Sequence, residues 1–196
     1  VLERAGPQTP ISFSPDGTTL AFIEFLPDTQ SDIWLLSMTD EGEPQPLVVT
    51  EFTEYGPQYS PDGRWIAYGS DETGDFEVYI TSATGDGKWQ VTNGGGAWPL
   101  WAPDGRSLTF VWDTTLSQAS VDTSDGELRL GRPEPLLNAN FHFLADGNRY
   151  YDVFPDGSGF LMFQDQSQSS DSDHEHIRVV LNWFDELNAT FAQFEQ

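Results

Sequence analysis

The sequence contains no cysteine, two methionines and a single lysine, Lys88. Without thiols there is no disulfide, no thiolate nucleophile and no cysteine-based zinc site. Compartment stays open, since many secreted proteins also lack cysteine. Positive charge is scarce: 8 lysines and arginines stand against 32 aspartates and glutamates, a formal net charge of −24. Such a surface repels nucleic-acid phosphates and anionic lipid, so neither is expected as a partner. An acidic, lysine-poor surface also suits a high-salt setting. No apolar run approaches the roughly 20 residues that span a membrane, so insertion by this segment is not expected. The opening Val1-Leu2-Glu3-Arg4 lacks the basic start of a signal peptide. It also lacks an initiator methionine, which predicts a piece of a longer protein.

What is present points to strands. Aromatic residues make up 14% of a chain that is only 37% apolar, and they favour the pleated surface of a sheet. With 18 glycines and 13 prolines, punctuation is frequent, which suits short strands and tight turns better than long helices. A chain of 196 residues is long enough for one domain with a sizeable core.

A repeat organises the chain. Phe13-Ser14-Pro15-Asp16-Gly17, Tyr59-Ser60-Pro61-Asp62-Gly63, Trp101-Ala102-Pro103-Asp104-Gly105 and Val153-Phe154-Pro155-Asp156-Gly157 align, with 46, 42 and 52 residues between successive aspartates. Proline presets φ for the second turn position, aspartate bonds local amides and glycine accepts positive φ. A second apolar strand follows each turn: Thr19 to Ile23, Trp65 to Tyr68, Ser107 to Val111 and Gly159 to Phe163. In the first repeat Asp32 to Leu36 and Gln45 to Val49 supply two more strands. In the second, Phe76, Val78 and Ile80 alternate with Glu77, Tyr79 and Thr81, and Lys88 to Thr92 closes the unit. In the third, Leu116 to Val121 and Glu127 to Leu130 fill the same places, before an insertion from Asn138 to Asn148. In the fourth, an acidic, serine-rich loop from Gln164 to Glu175 precedes a strand, Ile177 to Leu181. A short helix is expected from Trp183 to Leu187, capped by Asn182.

The steps match a four-stranded propeller blade of about 40–50 residues. The expected fold is therefore all-β: a β-propeller of antiparallel four-stranded blades, about four in this chain. Their expected spans are about 8–50, 52–93, 96–137 and 149–187, with no boundary dividing the chain into two domains.

The repeats resemble the TolB-type propeller repeat, a cousin of the WD repeat. The likeness is carried further by Gly63-Arg64-Trp65-Ile66-Ala67-Tyr68, Ser70-Asp71-Glu72, Glu77-Val78-Tyr79, Lys88-Trp89-Gln90-Val91-Thr92, Gly94-Gly95-Gly96 and Pro99-Leu100-Trp101. Tyr151-Asp152-Val153, Phe160-Leu161-Met162 and Val179 to Leu187 continue it. These segments are similar to the propeller behind many bacterial serine/threonine kinase domains. That resemblance implies an extracytoplasmic sensor belonging to a larger signalling protein. The chain itself has no kinase Gly-rich loop and no His-Arg-Asp catalytic loop. Family propellers usually carry six or more blades, so the resemblance implies the C-terminal part of such a domain, or a short protein completed by self-association.

Catalytic motifs are weak. Asp156-Gly157-Ser158-Gly159 has aspartate where the first glycine of a nucleophile elbow belongs. The repeated aspartates Asp16, Asp62, Asp104 and Asp156 are accounted for by their turn positions. No carboxylate pair stands out for glycoside hydrolysis. His174 and His176 would share one face of a strand, with Asp171 and Asp173 beside them, as the candidate ligands of a divalent cation. An EF-hand is excluded, because His176 holds the sixth position, where glycine is required. The main reading of that segment is a solvated acidic loop, and no other cofactor is expected. Trp98 and Trp112 lie near strand ends, where their rings would line a central pocket as candidate binding residues.

The expected function is non-catalytic: a binding or scaffold propeller that recognises a protein or peptide. The alternatives are the accessory propeller of a serine-peptidase-type hydrolase and a structural subunit of an envelope complex.

Overall fold

Each Pro-Asp-Gly segment reverses the chain between two antiparallel strands in the computed structural model, which describes residues 4, 6–39, 42–138, 149 and 151–162. Among these residues every regular element is a strand. The first sheet runs β1 (Gln8–Phe13), β2 (Thr19–Leu26), β3 (Gln30–Ser37), β4 (Gln45–Val48). The second runs β5 (Glu54–Tyr59), β6 (Trp65–Ser70), β7 (Glu77–Ser82), β8 (Lys88–Gln90). The third holds β9 (Ala97–Trp101), β10 (Ser107–Trp112), β11 (Thr115–Asp122), β12 (Arg129–Leu130) and β13 (Glu134–Asn138). Strands β14 (Tyr151–Val153) and β15 (Phe160–Met162) pair as a fourth. All pairings are antiparallel, so the fold is the expected all-β one. The strand from Ile177 and the helix from Trp183 lie outside the described residues.

The four turns are near copies of one another. Gly17, Gly63, Gly105 and Gly157 have φ of 71, 72, 70 and 73°. Those left-handed values cost other L-residues about 1–2 kcal/mol. The amides of Thr18, Arg64, Arg106 and Ser158 donate to the aspartate two residues before each, at 3.0, 3.1, 2.9 and 2.9 Å. Hydrogen bonds from Ser14 and Thr18 hold the Asp16 carboxyl down to about 2. Each of the three later turns lies close to the one before it. A methyl group added to Gly63 would lie 3.3 Å from Pro15 Cδ, one on Gly105 3.7 Å from Pro61 Cδ, and one on Gly157 3.9 Å from Pro103 Cδ.

The sheets pack face to face, and this removes the alternation expected along β7. Val78 and Ile80 join Trp65, Leu108 and Phe110 in a core between the second and third sheets. Tyr79, on the opposite face, packs with Tyr68, Ile23 and Ile33 between the first and second. Tyr68 and Tyr79 are cross-strand partners and stack at 5.7 Å. A third core joins Leu100, Val111 and Leu116 to Tyr151 and Met162 of the fourth sheet. A sheet covered on both sides buries both sets of side chains, so period-two polarity disappears.

Polar ties cross the same interfaces. The Tyr59 amide donates to Ser12 Oγ at 3.1 Å, and Trp101 Nε1 donates to the Gln58 carbonyl at 3.1 Å. The outer strand of the third sheet departs from expectation. Glu127 to Leu130 was the expected segment, but the place is divided: β12 pairs only Val121 and Asp122, while β13 pairs Thr115 to Gln118. The break falls at Gly131, where an added methyl would lie 2.1 Å from Ser120 Oγ, and at Pro133, which has no N–H for the ladder.

The contact between successive turns is testable by thermal melting of two variants. Gly17→Ala and Gly63→Ala both incur the left-handed backbone cost of about 1–2 kcal/mol. Only Gly63→Ala also presses on a neighbouring proline, so it should lower Tm more. Equal losses would show that the turns do not support one another.

Candidate ligand-binding cavity among the inner strands

Strands β1, β5 and β9 are the first edge strands of their sheets, and each carries a proline: Pro10, Pro57 and Pro99. An edge strand tolerates proline because no partner needs its missing N–H. Each also has a register shift at that level: between Pro10 and Ser12, between Tyr55 and Gln58, and opposite Thr109 to Val111, where Trp98 and Pro99 lie. Such bulges bend a strand and re-aim its side chains. Between the three strands lies a cavity of about 190 Å³ lined by Thr9, Pro10, Ile11, Gly56, Gln58, Trp98, Pro99 and Arg149.

Trp98 is held in a strained conformation at this cavity. Its φ is 56°, matching the 59° of Gly56, and each of the two residues precedes a proline. Glycine adopts that conformation freely, whereas tryptophan does so at a cost. The surroundings hold it there. Its ring lies against Gly56, where an added methyl would sit 3.3 Å from Trp98 Cε3. It meets the Tyr55 ring edge-on at 4.7 Å, and Tyr55 in turn meets Phe76 at 4.9 Å. The Tyr151 hydroxyl donates to the Trp98 carbonyl at 2.5 Å and to that of Thr109 at 3.2 Å. Tyr151 is buried, which pushes its phenol well above the ordinary tyrosine range and keeps it a donor. Backbone strain of this kind persists where surrounding structure over-determines it, and it clusters at ligand sites.

Arg149 brings the one cationic side chain to the described lining. Its Nε donates to the Tyr151 carbonyl at 2.9 Å, and its guanidinium lies 3.7 Å from Asp152 Oδ1. The side chain remains 25% exposed, so part of the guanidinium is open to the cavity.

The other candidate residues go elsewhere. Trp112 lies apart from the cavity lining: its ring covers Gly95, where an added methyl would sit 2.0 Å from Cε2. The Gly94 and Gly95 amides donate to Glu77 Oε1 at 2.7 and 3.0 Å, so that glycine run closes a loop between sheets. Ser158 Oγ donates to Asp156 at 2.6 Å within its turn. Asp171, Asp173, His174 and His176 lie outside the described residues. Sequence reasoning passed over Arg149, Gly56 and Gln58. A signal was available for part of this: Gly56-Pro57 and Trp98-Pro99 stand at the same offset from Asp62 and Asp104.

Antiparallel four-stranded sheets, packed face to face with their first edges around one cavity, define a β-propeller arrangement. The chain belongs to the TolB beta propeller domain family, whose model matches residues 3–172. It is 35% identical to the uncharacterized peptidase YuxL of Bacillus subtilis over 104 residues, which are 49% of this chain and 16% of that protein. Among solved structures it is similar to a TolB-type protein of Agrobacterium tumefaciens, with TM-score 0.56, 27% identity, and coverage of 68% of this chain and 50% of that one. TolB from Acinetobacter baumannii shares the fold, with TM-score 0.60, 19% identity, and coverage of 84% and 39%. The chain thus spans half or less of each of these proteins.

The strain at Trp98 predicts an inverted order of substitutions. In most strands alanine is better tolerated than glycine. Here Trp98→Gly should be more stable than Trp98→Ala by about 1 kcal/mol, since both lose the ring and only glycine relieves the backbone. Chemical denaturation of the two variants measures the difference, and the usual order would refute the strain.

Proposed function

We propose that this chain is a non-catalytic recognition propeller whose inner-strand cavity receives the terminus or one side chain of a peptide partner. The observation that carries this reading is Trp98, a tryptophan kept at φ 56° beside Arg149 at the mouth of the three inner strands. At about 190 Å³ the cavity is below the roughly 300 Å³ of small-molecule sites, and it suits a single residue of a longer ligand. Trp98 offers a rigid apolar surface. Arg149 offers a planar fork of donors matched to a carboxylate. In a chain of net charge −24, one cation in such a place selects sharply for where an acidic group docks. The resemblance to kinase-linked propellers supports placing this recognition in the sensor part of a larger bacterial signalling protein.

A second reading has its own support. The 35% identity to a peptidase, confined to 16% of that protein, favours a propeller that accompanies a hydrolase domain. The two readings separate in the parent gene, where an α/β-hydrolase segment would favour the second and a kinase with a membrane span the first.

The recognition reading is tested with an array of short peptides carrying free C-terminal carboxylates, beside amidated copies. Carboxylate forms should bind more tightly. Arg149→Gln should weaken them tenfold or more, since hydrogen bonds to charged groups contribute about 1.5–3 kcal/mol, and should leave amidated copies unchanged. Binding that ignores both the carboxylate and Arg149 would sink the proposal.

A further inference from the structure

Two carboxylates are enclosed where the first and second sheets meet. Asp32 on β3 and Glu54 on β5 are both 0% exposed. Glu54 Oε1 accepts from Thr50 Oγ1 at 2.6 Å and from Ser70 Oγ at 3.3 Å, while Oε2 has no partner. Asp32 Oδ2 accepts from Thr29 Oγ1, while Oδ1 has no partner. Ser31 Oγ donates to the Glu54 carbonyl at 2.7 Å, which ties β3 to β5 at this point.

No cation among the described residues pairs with either carboxylate. Glu24, the cross-strand partner of Asp32, holds Arg4 at 2.7 Å, and Lys88 is engaged by Glu72. The remaining titratable groups around Glu54 make matters worse or are neutral: Asp71, which accepts the Thr53 amide at 2.8 Å, and the buried phenol of Tyr68. Strands β1 and β9, also packed against β5, carry no titratable residue. Glu77 provides a contrast inside the same molecule. It opens β7 as Asp32 lies near the start of β3, yet its oxygens accept from Thr92 Oγ1 and the Gly94 and Gly95 amides. Glu77 is satisfied, whereas Asp32 on the first sheet and Glu54 on the second each leave one oxygen bare among the described residues.

Two buried like charges without a counter-ion are costly, and the least costly remedy is to neutralise one. We propose that Asp32 and Glu54 form a proton-binding site between the first two sheets, in which one proton joins the pair and its release sets two charges against each other and loosens the contact. Both carboxylates are fully enclosed, which fits a proton better than a hydrated metal ion. Burial, with Asp32 and Asp71 nearby, pushes the Glu54 carboxyl up to about 7. A carboxyl raised in the folded state contributes stability that is full below its ordinary range and is lost as pH rises to about 7.

Thermal melts of the whole chain from about pH 5 to pH 8 test this against Glu54→Gln, which keeps the shape and removes the charge. Wild-type Tm should fall by a few degrees relative to the variant as pH rises from 5 towards 7, and should level off above about 7. Asp32→Asn should bring the levelling-off to a lower pH. Parallel curves for wild type and Glu54→Gln would overturn the proposal. Should the variant fail to fold, infrared spectra of the wild type decide: a protonated-carboxyl band present at pH 6 and gone by pH 8 is expected, and no such band refutes it. Calcium chloride added at pH 8 distinguishes the ligand. A rise in Tm seen in wild type and missing in Glu54→Gln would assign the site to a metal and overturn the proton.

Discussion

An interior sheet in this fold has no side that faces water. From that constraint most of the structure follows. All six residues of β6 are buried, and so are five of six in β7. Neighbouring sheets therefore meet as two apolar surfaces, and aromatic pairs within a sheet, such as Tyr68 on Tyr79 or Trp65 against Trp89, contribute to those surfaces. Rings in these arrangements contribute about 0.5–1.5 kcal/mol beyond the area they bury. Polar groups that enter such a gap must find partners within it. Several do so through hydroxyls, as Ser31 and Thr92 show. Trp65 Nε1 is left without a partner among the described residues. An enclosed carboxylate in this setting has few options, and the contrast between Glu77 and the Asp32–Glu54 pair shows how a threonine hydroxyl and two glycine amides change the outcome.

The architecture was legible in the sequence because its signals are local. Pro-Asp-Gly specifies a turn through φ preferences and an aspartate bond two residues long, and both act before any tertiary contact forms. The strands after each turn were legible for the same reason. The outer strand of the third sheet was not, since the break at Gly131 depends on the approach of Ser120 from a neighbouring strand. Likewise the alternation in β7 reads as half-buried until a second sheet covers its other face. The cavity was half legible. Trp98 could be placed near a strand end, but its matching of Gly56 arises from bulges whose register is set by pairing. Trp112 looked equivalent to Trp98 along the chain, and the glycine beneath it drew it elsewhere. Asp32 and Glu54 sit 22 positions apart, and only the packing of two sheets makes them neighbours.

The cavity and the carboxylate pair mark two ways in which this fold departs from its own repeat. At the inner edge, the second unit places glycine where the third places tryptophan, at nearly the same φ. At the interface, the first unit places aspartate near the place where the second holds a capped glutamate. A repeat keeps the scaffold alike from unit to unit, so differences of this kind stand out against a constant background. They are places where the regular solution was available and is not used.

The proline that lies beside the next turn's glycine has a geometric consequence. At three successive joints a methyl added to the glycine would meet the preceding turn's proline at 3.3, 3.7 and 3.9 Å, and the four turn glycines agree in φ within a few degrees. Each contact involves only adjacent units, so the angle from one sheet to the next is defined locally. Nothing in it encodes how many sheets there are. A gene can therefore lengthen or shorten such an array by whole units without redesigning any joint, and the number of sheets becomes a quantity set by duplication and loss, with closure of the circle as the only arithmetic it must satisfy.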